Sequence, residues 1–412
     1  MRKTLFILLA LLAALSACRK NNPEDGQTVA YNASQLSFNF TVNYPSDTKA
    51  VRSGWRNGDK VFVFFSGQTG GYLSLDYDGS AWAANTDHMG TVSFTTNTGT
   101  LTAIYLPYGN SVTPTYGSNW TFPDANTDSY FLMAEKVSFY ISDTSNSVAT
   151  LGAVLNMTVP EGYAQFFIPV TGGTTATLKV ACNAVQSAGL SAIASDGTVT
   201  EKASGSAGGW ITAYADNING ESGYYITGKP VSSPGLDCYF AIRTGVSTPY
   251  TYQHFYKQRS AAIASHGAYQ LLDLSEFPEV AADKYVSVAG FSWCTVNSGA
   301  TNPWEGGTLS NASVQAPTNE AWTALMDVTK ATWIPITIAG CSGSLVVDAA
   351  DSSKYIFLPQ ADYWSANPSY YVHWDSEGKQ LSDTSLPETA YIRPFMINFG
   401  GGFEIPILGG DI

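Results

Sequence analysis

Strict alternation of apolar and polar residues is the feature that most narrows the fold. From Leu36 to Val42 the chain reads Leu-Ser-Phe-Asn-Phe-Thr-Val, a period of two that puts Leu36, Phe38, Phe40 and Val42 on one face of a strand and polar groups on the other. Further stretches of strand composition follow at short intervals: 60–65, 91–95, 101–106, 130–141, 165–170, 176–181, 210–213, 223–226, 238–243 and 268–274, separated by Gly, Asn, Asp, Ser and Pro. β-Branched and aromatic residues suit a pleated surface, and the separating residues suit turns. Strands this short and evenly spaced predict sandwiches of packed sheets rather than alternating βαβ units.

Composition agrees and removes several classes of function. Aromatic residues supply 13% of the 412 positions and charged residues only another 13%, a balance that suits strands and turns better than amphipathic helices. The formal net charge of −13 argues against nucleic acid, whose phosphates demand a basic face, and against a polybasic contact with anionic lipid. It reads as plain solubility.

The N-terminus carries an address. Arg2 and Lys3 precede an apolar run from Leu5 to Leu15, which closes in Leu15-Ser16-Ala17-Cys18. That run is too short for a spanning helix, and the small residues before Cys18 admit a signal peptidase. Residues 1–18 are therefore expected to be a lipoprotein signal peptide, with Cys18 acylated, palmitate among the chains, and the protein held at the outer membrane, on the cell surface. Residues 19–30 are polar, contain Pro and Gly, and predict a tether.

Four further cysteines, Cys182, Cys238, Cys294 and Cys341, lack the close spacing of zinc or redox motifs. In an oxidising compartment Cys182 with Cys238, or Cys294 with Cys341, can pair; burial as small apolar residues is the other reading.

The chain changes character near 275–284, where Ser275-Glu276-Phe277-Pro278-Glu279 breaks a strand, and six of the ten tryptophans lie beyond residue 290. Pro317-Thr318-Asn319-Glu320 announces a helix: Thr318 is a capping residue ahead of Trp322, Leu325 and Met326 at helical spacing. The expected division is an N-terminal β-sandwich over 31–160, a second over 161–275 and a third unit over 284–412.

Two resemblances refine these expectations. Thr48-Lys49-Ala50-Val51-Arg52-Ser53-Gly54-Trp55, the Gly58-Asp59 turn with its strand, and the later Ile104-Tyr105-Leu106-Pro107-Tyr108 resemble the fimbrillin-like, type V pilin-related lipoproteins of Bacteroidales. The resemblance covers roughly residues 19–274 and implies two transthyretin-like β-sandwiches. It also implies assembly with pilus subunits by donor-strand exchange, after proteolytic processing at Lys49 or Arg52. Taken alone, Gly58-Asp59 is a turn feeding a strand, Trp55 is a core residue, and Lys49 and Arg52 are surface charges.

Trp293-Cys294-Thr295-Val296-Asn297, then Ala316-Pro317-Thr318-Asn319-Glu320-Ala321-Trp322, then Tyr355-Ile356-Phe357-Leu358-Pro359 with Tyr363-Trp364-Ser365, and finally Tyr391-Ile392-Arg393-Pro394 resemble, in that order, the Fibrobacter succinogenes major paralogous family. This implies an α+β, C-type-lectin-like domain over 284–412. Gln360-Ala361-Asp362 departs from the small-residue stretch of that family, so the loop that follows is expected to have its own shape. Oxidases of the wider superfamily hold a metal with a close pair of cysteines, whereas Cys294 and Cys341 stand far apart in sequence. No enzymatic activity, no cofactor and no metal are expected.

The best ligand candidate is the polar-aromatic segment holding Tyr370, Tyr371, His373, Trp374 and Asp375. Aromatic faces pack on the C–H faces of sugars while His and Asp bond hydroxyls; core packing is the competing role of each ring. The expected function is a surface adhesin, as a pilus tip or accessory subunit that presents a glycan- or protein-binding, lectin-like domain to a host surface ligand. The rival is a monomeric glycan-binding lipoprotein of a polysaccharide-uptake system.

Overall fold

The computed structural model describes residues 31–45, 54–107, 113–122, 131–142, 148–174, 177–187, 189–201, 205–218, 221–231, 236–300, 302–304, 308–309, 316–374, 378–399 and 403–406. Cys18, Lys49, Arg52 and Asp375 lie outside the described residues. Strands dominate, and among the described residues Asn319–Met326 is the one α-helix.

The first unit is built on a seven-stranded sheet in the order Leu36–Asn43, Ala149–Asn156, Leu132–Ser142, Thr98–Leu106, Lys60–Phe65, Leu73–Tyr77 and Trp82–Asn85. Every neighbouring pair is antiparallel except the first, which runs parallel from Ala149↔Leu36 to Asn156↔Asn43. Lys60–Phe65 lies inside the sheet and is buried on both faces. Its Phe65 meets Phe94 and Phe139 on one side, while Phe62 and Phe64 meet Tyr72, Phe122 and Trp120 on the other. Such a strand reads as an unbroken apolar run because no face of it reaches water.

The expected turn is present: Gly58 has φ +91° and Asp59 Oδ2 accepts the Arg56 N–H at 2.6 Å, launching the strand. Packing also crosses position 160. Strand Leu190–Ile193 pairs with Trp120–Thr121, and Leu190 and Ile193 join the core of the first unit.

The second unit is a sandwich. One sheet runs Val185–Ser187, Glu221–Pro230, Ala164–Pro169, Gly267–Gln270; the other runs Ile211–Thr212, Leu178–Cys182, Asp237–Thr244, Thr251–Gln258. Alternation along Asp237–Thr244 sends Cys238, Phe240 and Ile242 into the sandwich core and Tyr239 and Ala241 to the outer face.

That outer face is not solvated. It packs on the three-stranded sheet of the third unit, Ala331–Ile338, Cys341–Asp348 and Tyr355–Pro359, which turns Leu345, Val347, Tyr355 and Phe357 toward Tyr239, Ala241 and Tyr256. The same strands send Val346, Ile356 and Leu358 the other way, into the third unit's own core with Trp293, Trp322 and Tyr363. Two sheets thus each serve two cores. Gly208, at φ +75°, lets the chains touch: its carbonyl accepts the Ala339 N–H at 2.7 Å, and a Cβ there would stand 2.1 Å from the Thr337 carbonyl oxygen.

Elsewhere the structure refines the strand limits. Stretch 91–95 contracts to Ser93–Phe94 because Val92 N–H closes a turn on Met89 O. Stretch 268–274 yields only Gly267–Gln270, after which Asp273 caps a 3₁₀ turn at Leu274–Glu276. Strands Leu73–Tyr77, Ala149–Asn156 and Thr251–Gln258 had no counterpart among the expected ones; the last reads Thr-Tyr-Gln-His-Phe-Tyr-Lys-Gln, too polar to signal a strand. All four described cysteines are free thiols.

Burial of a ring such as Phe357, shared between two units, contributes about 1.5–3 kcal/mol by removal from water. Phe357→Ala is expected to cost about 3–5 kcal/mol, read by urea denaturation, with the second and third units losing structure in one transition. His254 supplies a pH signature. Burial pushes its pKa down from 6.5 to about 3, so the folded protein refuses a proton that the unfolded chain accepts. The stability it contributes is complete above about pH 6.5 and is lost as pH falls toward 3. Stability measured from neutral pH downward should therefore fall more steeply in the wild type than in His254→Gln, by up to about 1.4 kcal/mol per pH unit.

Candidate functional site

The site begins with the helix. Thr318 Oγ1 accepts the Ala321 N–H at 3.2 Å, as its sequence context predicts, and Trp322 turns inward against Trp293 and Tyr363. At the other end Leu325 O accepts the indole N–H of Trp333 at 2.8 Å, so the helix C-terminus fixes the ring of a residue on strand Ala331–Ile338.

Trp333 meets the ligand candidates there. Strand Tyr371–Trp374 pairs antiparallel with Lys379–Ser382, with Trp374 opposite Lys379 and His373 opposite Gln380. Alternation separates the four candidate side chains on and beside this strand. Tyr371 is buried, packs with Trp364, Ala316 and Ile392, and donates its hydroxyl to Thr384 O at 3.3 Å. Trp374 is half-buried on the opposite face and meets Trp333 edge to face at 5.4 Å, 85° between planes. The Lys379 ammonium lies 4.4 Å from the Trp333 ring centre and 5.4 Å from that of Trp374. Partial burial lowers the Lys379 pKa from its ordinary value.

His373 is half-buried, its Nδ1 2.9 Å from Asp362 Oδ1, which also accepts the Trp374 N–H at 3.2 Å. One carboxylate oxygen therefore orients both residues. Tyr370 is half-buried after the Asn367 turn, its N–H donated to Asn367 O at 2.9 Å.

The structure thus gathers Trp374 with Trp333 and Lys379, holds His373 with Asp362 and Tyr371 on the opposite face of the strand, sets Tyr370 beside them in the chain, and turns Tyr371 into a core. Sequence reasoning passed over Trp333 and Lys379. Only the Trp374↔Lys379 register and the packing of a distant strand join them, and neither leaves a local signal. Asp362 was visible only as a departure from a family pattern.

The remaining cysteines stand in different surroundings. Cys294 is buried with Val280 and Val296, its thiol raised in pKa by burial, whereas Cys341 is half-buried beside the shared wall. Among the described residues no group of three His, Cys, Asp or Glu side chains could hold a metal ion, and no helix is long and apolar enough to cross a membrane.

No family model matches the chain, and no curated protein does. Solved structures do resemble it. One, provisionally assigned to cell adhesion and from Bacteroides fragilis, is 10% identical with a TM-score of 0.32, over 57% of this chain and 91% of that one. A fimbrial protein from Bacteroides ovatus is 9% identical with a TM-score of 0.28, over 87% of this chain and 98% of that one. The fimbrial anchor protein from Porphyromonas gingivalis is 9% identical with a TM-score of 0.25, over 59% of this chain and 95% of that one. At these scores the likeness carries no conclusion about function.

Asp362→Ala strips the acceptor from His373 Nδ1 and the Trp374 N–H together. It is expected to cost about 1–2 kcal/mol in urea denaturation and to loosen the Trp374 ring, read as a red shift and quenching of tryptophan emission.

Proposed function

We propose that this chain is a non-enzymatic, cell-surface adhesin, held at the outer membrane by lipid on Cys18. Its third unit, read as C-type-lectin-like, presents the shelf of Trp333, Trp374 and Lys379 to a glycan. The observation that carries this reading is the shelf itself. Two indoles at right angles with an ammonium over both offer an apolar platform and a hydrogen-bond donor side by side. Groups of this kind bind sugar rings by stacking and orient them by hydroxyl contacts, with no bond made or broken.

A second feature supports membership of a pilus as tip or accessory subunit, in the manner of a fimbrillin. Strands Thr251–Gln258 and Gly267–Gln270 are edge strands of the two sheets of the second sandwich, and the seam between them opens as a groove of about 770 Å³. Phe255, Tyr269, Leu271 and Leu272 line it, with the Arg259 guanidinium 4.6 Å from the Tyr269 ring centre. The Thr251–Gln258 edge is already met at Tyr252, His254 and Tyr256 by residues 278–280 and the Tyr355 hydroxyl, so an extended segment of another subunit would enter along Gly267–Gln270 and the apolar seam. Cleavage at Lys49 or Arg52 is the processing step this reading calls for.

The mature full-length protein on a glycan array tests the lectin reading. The wild type should bind a defined set of glycans, and Trp374→Ala and Trp333→Ala should each weaken binding at least about tenfold, as loss of a stacked ring does. A wild-type protein that binds no glycan removes it. Sheared pilus fractions test the assembly: absence of the protein from them, together with a full-length form on protease-treated cells, removes the tip role.

A further inference from the structure

Two thiols share the core of the second sandwich. Strand Leu178–Cys182 pairs antiparallel with Asp237–Thr244, with Cys182 opposite Phe240, so Cys238 stands two residues farther along the partner strand on the same face. Both side chains belong to one apolar cluster and are 1% and 2% exposed. Asn183 draws the strand ends together. Its N–H donates to Tyr239 O at 3.3 Å, its Oδ1 accepts the Tyr239 N–H at 2.8 Å, and its Nδ2 donates to Asp237 O at 3.0 Å. The chain neighbours of Cys182 and Cys238 thus bind one another on both sides of the pair.

The two sulfurs meet there. A side-chain hydrogen bond joins Cys182 to Cys238 and lowers the pKa of the Cys238 thiol, while burial, together with that bond, raises the pKa of Cys182 well above its ordinary value. The result is an attacking sulfur with a protonated partner beside it. Cys238 also lines the groove beside Phe255, Tyr269 and Arg259, which marks the side from which the pair is reached. Cys294 and Cys341 are placed differently. Each donates its S–H to a backbone carbonyl, Ala282 O and Ser342 O, both at 3.5 Å, and they belong to different apolar clusters.

We propose that Cys182 and Cys238 close to a disulfide as the second sandwich folds in an oxidising compartment. The oxidant required is another disulfide. Cys238, as thiolate, attacks one of its sulfurs and breaks its S–S bond, releasing one thiolate; Cys182, its proton lost, then attacks the Cys238 sulfur of the mixed disulfide and expels the second. Two electrons pass to the oxidant, and the two cysteine protons leave it as a pair of thiols. Exchange is complete before the core shuts, and the apolar cluster then shields the bond. The covalent ring contains strand Leu190–Ile193, which joins the core of the first unit, and strand Glu221–Pro230 of the second. The cross-link therefore restricts an unfolded segment that both units must order.

The full-length mature chain, produced by export to a bacterial periplasm, is unfolded in urea with iodoacetamide and no reductant, digested and weighed. The peptides of Cys182 and Cys238 are expected as one linked species, lighter by two hydrogens than their sum, with the alkyl group on Cys294 and Cys341. Iodoacetamide on both Cys182 and Cys238 overturns the proposal. Melting separates a covalent bond from mere packing. Cys182→Ala and Cys238→Ala should each lower Tm by about 5–10 °C, and the double variant should melt where the single ones do, because either change removes the whole bond. Losses that add in the double variant overturn the proposal, and the mass of the linked peptide decides it if the variants do not fold.

Discussion

The second and third units depend on the face-to-face packing of Asp237–Thr244 and its neighbours against Tyr355–Pro359 and its neighbours. Both sheets are buried on both sides, so each residue along them belongs alternately to one core or the other. Removing Tyr239 or Phe357 would therefore disturb a contact that neither unit can rebuild alone. The second and third units are joined as a sandwich is joined internally, by apolar side chains from two pleated surfaces. The backbone closes the join, with Ala339 N–H donated to Gly208 O where only a glycine lets the chains approach.

That junction has a polar heart, which is unusual for sheet packing. Tyr239, His254, Trp304 and Arg393 are all buried there, with Tyr239 Oη accepting the Trp304 indole N–H and lying 3.0 Å from His254 Nδ1. Polar groups in such a place cost stability unless each is met, and in return they define one relative position of the two sheets. The aromatic shelf stands on the same frame. Trp333 belongs to a strand of the shared wall, and its indole is pinned to the helix C-terminus at Leu325 O. Trp333 and Trp374 thus form a preformed surface built on strands.

Local chemistry by itself determined much of this protein. Alternation from Leu36 to Val42, the apolar run Val61–Phe65, the Gly58-Asp59 turn and the Thr318 cap are all written in neighbouring residues, and each has the structure that its own geometry demands. His373 and Trp374 could be picked out because aromatic and polar residues crowd into one short segment. What only tertiary structure decided is which faces meet. Tyr371 and Trp374 lie three residues apart and look alike in sequence, yet one fills a core and the other joins a shelf, because their strand has a different neighbour on each side. Thr251–Gln258 is a strand although its composition is polar, since pairing with Asp237–Thr244 and burial of His254 and Tyr256 against another unit override its weak propensity. Trp333, Lys379 and Asp362 gather around Trp374 through strand register and long-range packing, and the full burial of Arg393, which the sequence shows only as part of the Tyr391-Ile392-Arg393-Pro394 block, is likewise a product of folding. The physical reason is the same in each case. A period of two tells a strand that it has two faces, but what covers each face is settled by contacts between residues far apart in the chain.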